Sequence, residues 1–252
     1  MSNKIRLGIL GGGGDSLIGV LHRVAANMFD QYEIVGGVFN PNFDQNIGFA
    51  KKIGINTTRI YKDFENLIEQ ESKLDPSKRM QVVSVLTPNF LHYPMAKKLL
   101  ENNFHVICEK PLTTSYQEAL ELKKIQKEKN SVFAVTHTYT GYPMIRQMTK
   151  MISEGIIGKI QKVDGQYLQG WLNPVIHDKE KRSSTWRLDP EKSGSSCCLG
   201  DIGTHAFNMV ELVTGMKVSK LLADLSTLYD DNPMDIDANI LIRFSNNAKG
   251  TI

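Results

Sequence analysis

Between residue 5 and about residue 137, short runs rich in Val and Ile alternate with longer amphipathic runs rich in Lys, Glu and Leu. The short runs 5–10, 33–39, 81–86, 105–108 and 132–137 predict strands, and the intervening periodicity predicts helices. In residues 115–129, Ala119, Leu122 and Ile125 share one face while Glu118, Glu121 and Lys124 face water, and Thr114 or Ser115 with Glu118 predicts the cap. Residues 95–101 carry a second such helix. Strand and helix in strict alternation imply βαβ units and a parallel sheet. Past about Tyr139 the rhythm changes. A helix over 144–154 ends at Gly155, a long strand spans 159–172, a polar stretch holds Trp186 and Arg187, and a helix over 201–213 ends at Gly215. Two strands, 218–228 and 237–244, follow with little helix between them. This predicts an α+β domain with a mostly antiparallel sheet, so the boundary is placed between a first domain, 1–138, and a second, 139–252. Residues 238–252 read as a strand, a hairpin turn and a strand barely begun.

Composition narrows the class. The 252 residues are 41% hydrophobic and 23% charged, which excludes disordered, collagenous and disulfide-scaffold proteins. Thirty basic and 27 acidic side chains, interspersed, leave a net charge of +3 and no basic stripe, so nucleic acid is not an expected partner. The three cysteines include the vicinal pair Cys197 and Cys198, too cramped for an ordinary bridge, and suit a reducing cytoplasm. The N-terminal residues show no secretory h-region. No window approaches the ~18 unbroken apolar residues of a membrane helix.

Four consecutive glycines, Gly11 to Gly14, stand directly after the first strand and before an amphipathic helix. Glycine suits this place because a Cβ would hold the backbone away from a pyrophosphate resting on the amides of a helix N-terminus. Gly11 and Gly13 fit the first two fingerprint positions; the third, Gly19, comes late, giving G-x-G-x5-G. Gly11, Gly13, Gly14, Ser16, Leu17 and Ile18 are the expected cradle, against the alternative of a plain flexible turn. The second strand ends at Asn40, where an NAD site usually offers an acid to the ribose. Asn40 can hydrogen-bond a ribose without charge, and Lys51 and Arg59 lie further along. The expected cofactor is NAD, with NADP left open.

Two motifs stand at carboxyl ends of predicted strands, where ligands gather in such sheets. Thr87, Pro88, Asn89 and His92 follow the strand 81–86; Glu109, Lys110 and Pro111 follow 105–108. Lys110 is thereby held at the mouth of the expected cleft, although a surface lysine at a loop start reads the same way. In the second domain, Asp201 and His205 are four apart at a helix start, so both can serve one substrate atom: imidazole as base, carboxylate as its orienter. Asp201 as a helix cap, or the pair as metal ligands, are the alternatives. No third ligand stands at a recognisable spacing, and no metal is expected. Tyr139, Tyr142, Trp171 and Trp186 offer aromatic faces for a sugar or for ordinary packing. His137 ends a strand, and His177 lies in a polar loop.

Taken together, the Gly-rich turn, Thr-Pro-Asn-x-x-His, Glu-Lys-Pro and Gly-Asp-Ile-Gly-Thr-His resemble the Gfo/Idh/MocA family of sugar and polyol oxidoreductases, in the branch with an extended glycine loop. The resemblance runs from Lys4 to Ile252. It implies an α/β fold with an N-terminal Rossmann domain and a C-terminal α+β domain whose large open sheet covers the substrate and joins subunits into dimers or tetramers. The expected substrate is a sugar or polyol. Lys110 matches the lysine that touches substrate hydroxyl and nicotinamide ribose, Asp201 the substrate-binding aspartate and His205 the proton-transfer histidine. Thr87, Pro88, Asn89, His92 and Glu109 match positions lining the cofactor, and Tyr139, Trp186 and Arg187 fall in stretches that the branch shares and are expected near the substrate. Family members continue the second sheet beyond Ile252, so that sheet is expected to be incomplete, with an unpaired edge. Two other activities share this frame: glycoside cleavage by transient oxidation, and non-catalytic nucleotide binding.

Overall fold

The computed structural model describes residues 4–227 and 232–252. The chain divides into two compact units, Met1–Thr136 and His137–Ile252, two residues ahead of the boundary placed from the sequence.

In the first unit the chain runs β1 (Ile5–Gly11), α1 (Leu17–Met28), β2 (Tyr32–Val38), α2 (Phe43–Lys52), α3 (Phe64–Ser72), β3 (Val82–Leu86), α4 (His92–Glu101), β4 (His105–Cys108), α5 (Tyr116–Glu128) and β5 (Phe133–Val135). The five strands are parallel, in the order β2-β1-β3-β4-β5. Alternation along the strands splits the core in two. Leu7, Ile9 and Val82 join Ala26 of α1 and Ala50 of α2, whereas Leu10, Val83 and Val85 join side chains of α3, α4 and α5. Every residue of β3 is buried, and its sequence is apolar except for Ser84. Side-chain caps open α1, α2, α3 and α5: Ser16, Asn42 and Asp63 each accept a backbone N–H, and Ser115 forms a reciprocal capping box with Glu118.

A carboxylate lies fully inside this unit. The Glu71 carboxylate accepts two hydrogen bonds from the Arg59 guanidinium, at 2.8 and 2.6 Å, one from the Tyr61 hydroxyl at 2.5 Å and one from the Met80 amide at 2.7 Å. With four donors converging, the charge is compensated; truncating it would leave a cation, a hydroxyl and an amide unpaired. Glu71→Ala is expected to destabilise the protein by about 3–5 kcal/mol in urea unfolding, and a loss below about 1 kcal/mol would refute this account of the network.

The second unit contains α6 (Pro143–Ser153), β6 (Lys162–Asp164), the short helices α7 (Asn173–Ile176), α8 (Lys179–Ser184) and α9 (Pro190–Ser193), then α10 (Thr204–Thr214), β7 (Val218–Ser226), β8 (Asp237–Phe244) and β9 (Lys249–Thr251). Its sheet has the order β6-β9-β8-β7; the β7–β8 and β8–β9 pairs are antiparallel, and β6 joins β9 in parallel. β8 turns Ile240, Ile242 and Phe244 into a core shared with Val210 of α10.

Two expectations are corrected here. The long strand predicted over 159–172 shrinks to Lys162–Asp164, because β9 offers it three ladder partners and no others are found among the described residues. The helix predicted from Asp201 begins instead as a π-helical turn over Leu199–Gly203, with regular α-helix from Thr204. Leu228, the predicted end of the strand after α10, lies outside the described residues. Among the described residues, no helix is long and apolar enough to cross a membrane.

Candidate functional site

In the first unit, chain order reverses direction between β1 and β3: β1 leads outward to β2, and β3 leads the other way to β4 and β5. The carboxyl ends of β1 and β3 therefore flank the switch point where open α/β sheets bind ligands. The glycine turn leaves β1 there. Gly11 has a φ of +80°, and a Cβ on it would lie 2.8 Å from the Leu86 carbonyl oxygen at the end of β3. On Gly13 it would lie 2.5 Å from the Phe39 carbonyl oxygen, so the turn is pressed between the ends of β2 and β3. Around Gly14, by contrast, a Cβ would meet nothing within 4 Å, and the turn is open on that side. The N-terminus of α1 follows, with Ser16 as its cap, Leu17 exposed and Ile18 turned toward the core. Open space beside glycine amides and the positive end of a helix fits a pyrophosphate.

Thr87, Pro88 and Asn89 leave β3, and Asn89 is buried. Glu109 and Lys110 leave β4. The Glu109 carboxylate is held by His22 Nε2 of α1 at 2.9 Å, by the Thr136 hydroxyl at 2.6 Å and by the Lys110 amide at 3.2 Å. Burial pushes this carboxyl up, but those partners together outweigh it and hold it below the usual carboxylate range. Glu109 thereby ties α1 to the ends of β4 and β5 and fixes the backbone that carries Lys110.

His92 is held between the loops that follow β3 and β4. It is 1% exposed, with Nδ1 2.8 Å from the Pro111 carbonyl oxygen and Nε2 2.8 Å from that of Thr87. Both ring nitrogens face backbone, so the side chain spans the two loops that leave β3 and β4. Burial lowers its pKa, and the two carbonyls offset this only in part. The folded protein thus favours neutral His92, and its stability should be greatest above the unfolded value of 6.5 and fall as pH drops below it. Urea unfolding at pH values on either side should show a smaller acid loss in His92→Gln than in the native chain; an equal loss would refute this. Asn40 is also committed locally: its Oδ1 accepts the Asn42 amide at 2.8 Å.

In the second unit, aromatic rings surround His205, which is 9% exposed. Tyr139, His137 and Tyr167 lie with ring centroids 4.7, 5.7 and 5.8 Å from its imidazole. The Tyr139 and Tyr167 hydroxyls share a hydrogen bond of 2.5 Å. Burial, then that bond, and further out the Asp201 charge push the Tyr167 hydroxyl pKa up, so Tyr167 stays protonated and acts as a hydrogen-bonding group. Asp201 does not cap its helix; its Oδ1 lies 3.4 Å from Arg187 Nε. The Arg187 guanidinium lies 4.4 Å from the Trp186 ring and 5.5 Å from that of Trp171. Tyr142 is half exposed, packs edge-on against Tyr139, and His177 faces solvent.

Residues 5–137 match the profile of an oxidoreductase family with an NAD-binding Rossmann fold, Gfo/Idh/MocA, and residues 145–252 match the C-terminal domain of the same family. The chain belongs to the Gfo/Idh/MocA family.

An uncharacterized oxidoreductase of Bacillus subtilis, YfiI, is 33% identical to this Gfo/Idh/MocA chain over 255 residues, covering 100% of the chain and 64% of the relative. Levoglucosan dehydrogenase of Pseudarthrobacter phenanthrenivorans is 31% identical over 75% of the chain and 53% of its own length. The crystal structure of an inositol dehydrogenase homolog of Azotobacter vinelandii, complexed with NADH and myo-inositol, superposes with a TM-score of 0.88 at 32% identity, over 100% of the chain and 64% of that protein. The chain thus spans about two thirds or less of the length of these relatives. Within it, Gly11, Gly13, Gly14, Thr87 and Lys110 stand at the carboxyl ends of β1, β3 and β4, and Tyr139, Asp201 and His205 stand at or near the start of α10 in the second unit. Sequence reading missed His22, Thr136 and Tyr167. Each acts through a partner 27 to 87 residues away, and no local motif marks it.

Proposed function

We propose that the protein is an NAD-dependent dehydrogenase acting on a secondary hydroxyl of a sugar, inositol or related polyol. The observation that carries this reading is the glycine turn at the switch point, open at Gly14, with Thr87 and Lys110 on the neighbouring strand ends. Bound NAD supplies the hydride acceptor. Lys110 binds and polarises the reacting oxygen, His205 takes the hydroxyl proton, and Asp201 orients the carbinol, while Tyr139, Trp186 and Arg187 bound the sugar. The solved relative that holds NADH and myo-inositol, and the levoglucosan dehydrogenase, support a polyol or anhydrosugar as the substrate class. NAD is favoured over NADP because Asn40 is uncharged and Arg59 is bound to Glu71.

Incubating the protein with NAD or NADP and a panel of inositols, aldoses and levoglucosan, while following reduced nicotinamide, tests the reading. Steady accumulation with NAD, at a kcat/KM at least about tenfold above that with NADP, is expected, a preference of about 1.4 kcal/mol. Tight NADH binding without net reduction on any polyol would reject the dehydrogenase. Sugar release without accumulated NADH would instead indicate transient oxidation.

A further inference from the structure

The turn that carries Asp201 has an anchor 34 residues further along the chain. Asp235 is 4% exposed. Its Oδ1 accepts the Cys197 amide at 2.8 Å, its Oδ2 accepts the Leu199 amide at 2.8 Å, and its backbone carbonyl accepts the Cys198 amide at 3.0 Å. The Cys197 carbonyl in turn accepts the Asp201 amide at 2.9 Å, and Ser196 Oγ accepts the Gly200 amide at 2.9 Å. Amides at a helix start lack partners within the helix and usually take them from a local cap. Here the partner is a carboxylate supplied by the strand side of the unit, and with Ser196 it relieves Asp201 of capping. Asp201 is left to face Arg187, which lies against both tryptophans of the chain.

We propose that Asp235 is a positioning residue for the reaction: by holding the amides of Cys197 and Leu199, it sets where the Asp201 carboxylate, and with it Arg187, stands. The inference rests on the reading of Asp201 as substrate-orienting. The alternative is that Asp235 serves stability alone, as many buried carboxylates do.

The two tryptophans make the placement visible without substrate, since both contact Arg187. Asp235→Asn should reproduce the change in tryptophan emission caused by Asp201→Asn. A comparably destabilising change in the first unit, Glu71→Gln, should leave emission unaltered. In turnover, Asp235→Asn should lower kcat about tenfold or more with the NADH dissociation constant within about twofold, and the double variant Asp201→Asn/Asp235→Asn should be no slower than Asp201→Asn. Native emission and kcat within about twofold in folded Asp235→Asn, or losses that multiply in the double variant, would overturn the proposal. Should Asp235→Asn fail to fold, amide exchange in the native chain decides: Cys197, Leu199 and Asp201 amides protected together support the anchor, and fast exchange at all three refutes it. If the native protein oxidises no polyol, the dehydrogenase reading fails while the emission comparison still decides the role of Asp235.

Discussion

Replacing His205 with Asn, or Lys110 with Met, should lower kcat by about 10²–10⁴-fold, and in His205→Asn the NADH affinity should change by less than about twofold. The separation follows from where the residues stand. The glycine turn and the Thr87 loop lie on other elements of the first unit, and His205 belongs to the second unit altogether. The sharper comparison is within the aromatic cluster, where a second imidazole, His137, sits edge-on to His205 at 5.7 Å. His205 lies in the first turn of α10, four residues from Asp201, whereas His137 precedes a 3-10 turn with no carboxylate so placed in sequence. His137→Asn should therefore cost less than about tenfold in kcat. If His137→Asn is the slower variant, the base has been assigned to the wrong ring.

Gly19→Ala should weaken NADH binding about a hundredfold, equivalent to about 2.7 kcal/mol, and destabilise the first unit as well. A methyl there would overlap the Gly12 carbonyl oxygen and backbone, atoms that no rotamer change can move. α1 would have to draw back from the turn, and its amide N-terminus would leave the place where phosphate is expected. Gly48→Ala is the informative contrast. Gly48 is exposed within α2, and a methyl there meets nothing within 4 Å. That variant should gain about 0.5–1 kcal/mol of stability with unchanged NADH affinity. Isothermal titration with NADH and thermal unfolding read both effects; full affinity in Gly19→Ala would refute the packing role given to that glycine.

The late third glycine was legible as an irregularity and is explained by packing: Gly19 lies on α1 against Gly12. The parallel sheet was legible because short Val- and Ile-rich runs alternate with amphipathic runs of helical period, and β1 and β3 do bury most of their residues. The 159–172 segment was not, since a run with strand-like composition becomes a strand only where a partner offers a ladder, and β9 offers three residues. α2 and α3 passed without notice although Asn42 and Asp63, their caps, stand in the sequence as start signals. Motif spacing singled out Lys110, Asp201 and His205 as candidates but could not orient His92, whose two carbonyl partners lie 5 and 19 residues away. The anchoring of Asp201 by a residue 34 positions later has no sequence period at all.

The buried Glu71 carboxylate also bears on how a descendant of this protein could change cofactor. Binding a 2′-phosphate calls for a cation beyond β2, and Arg59, on the turn paired alongside Gly37, is an obvious recruit from the sequence. Its guanidinium is already forked onto Glu71, so redirecting it would strip the core of its counter-charge. A switch to NADP is therefore expected to arise by a new arginine at Asn40 or Asn42, with Arg59 retained.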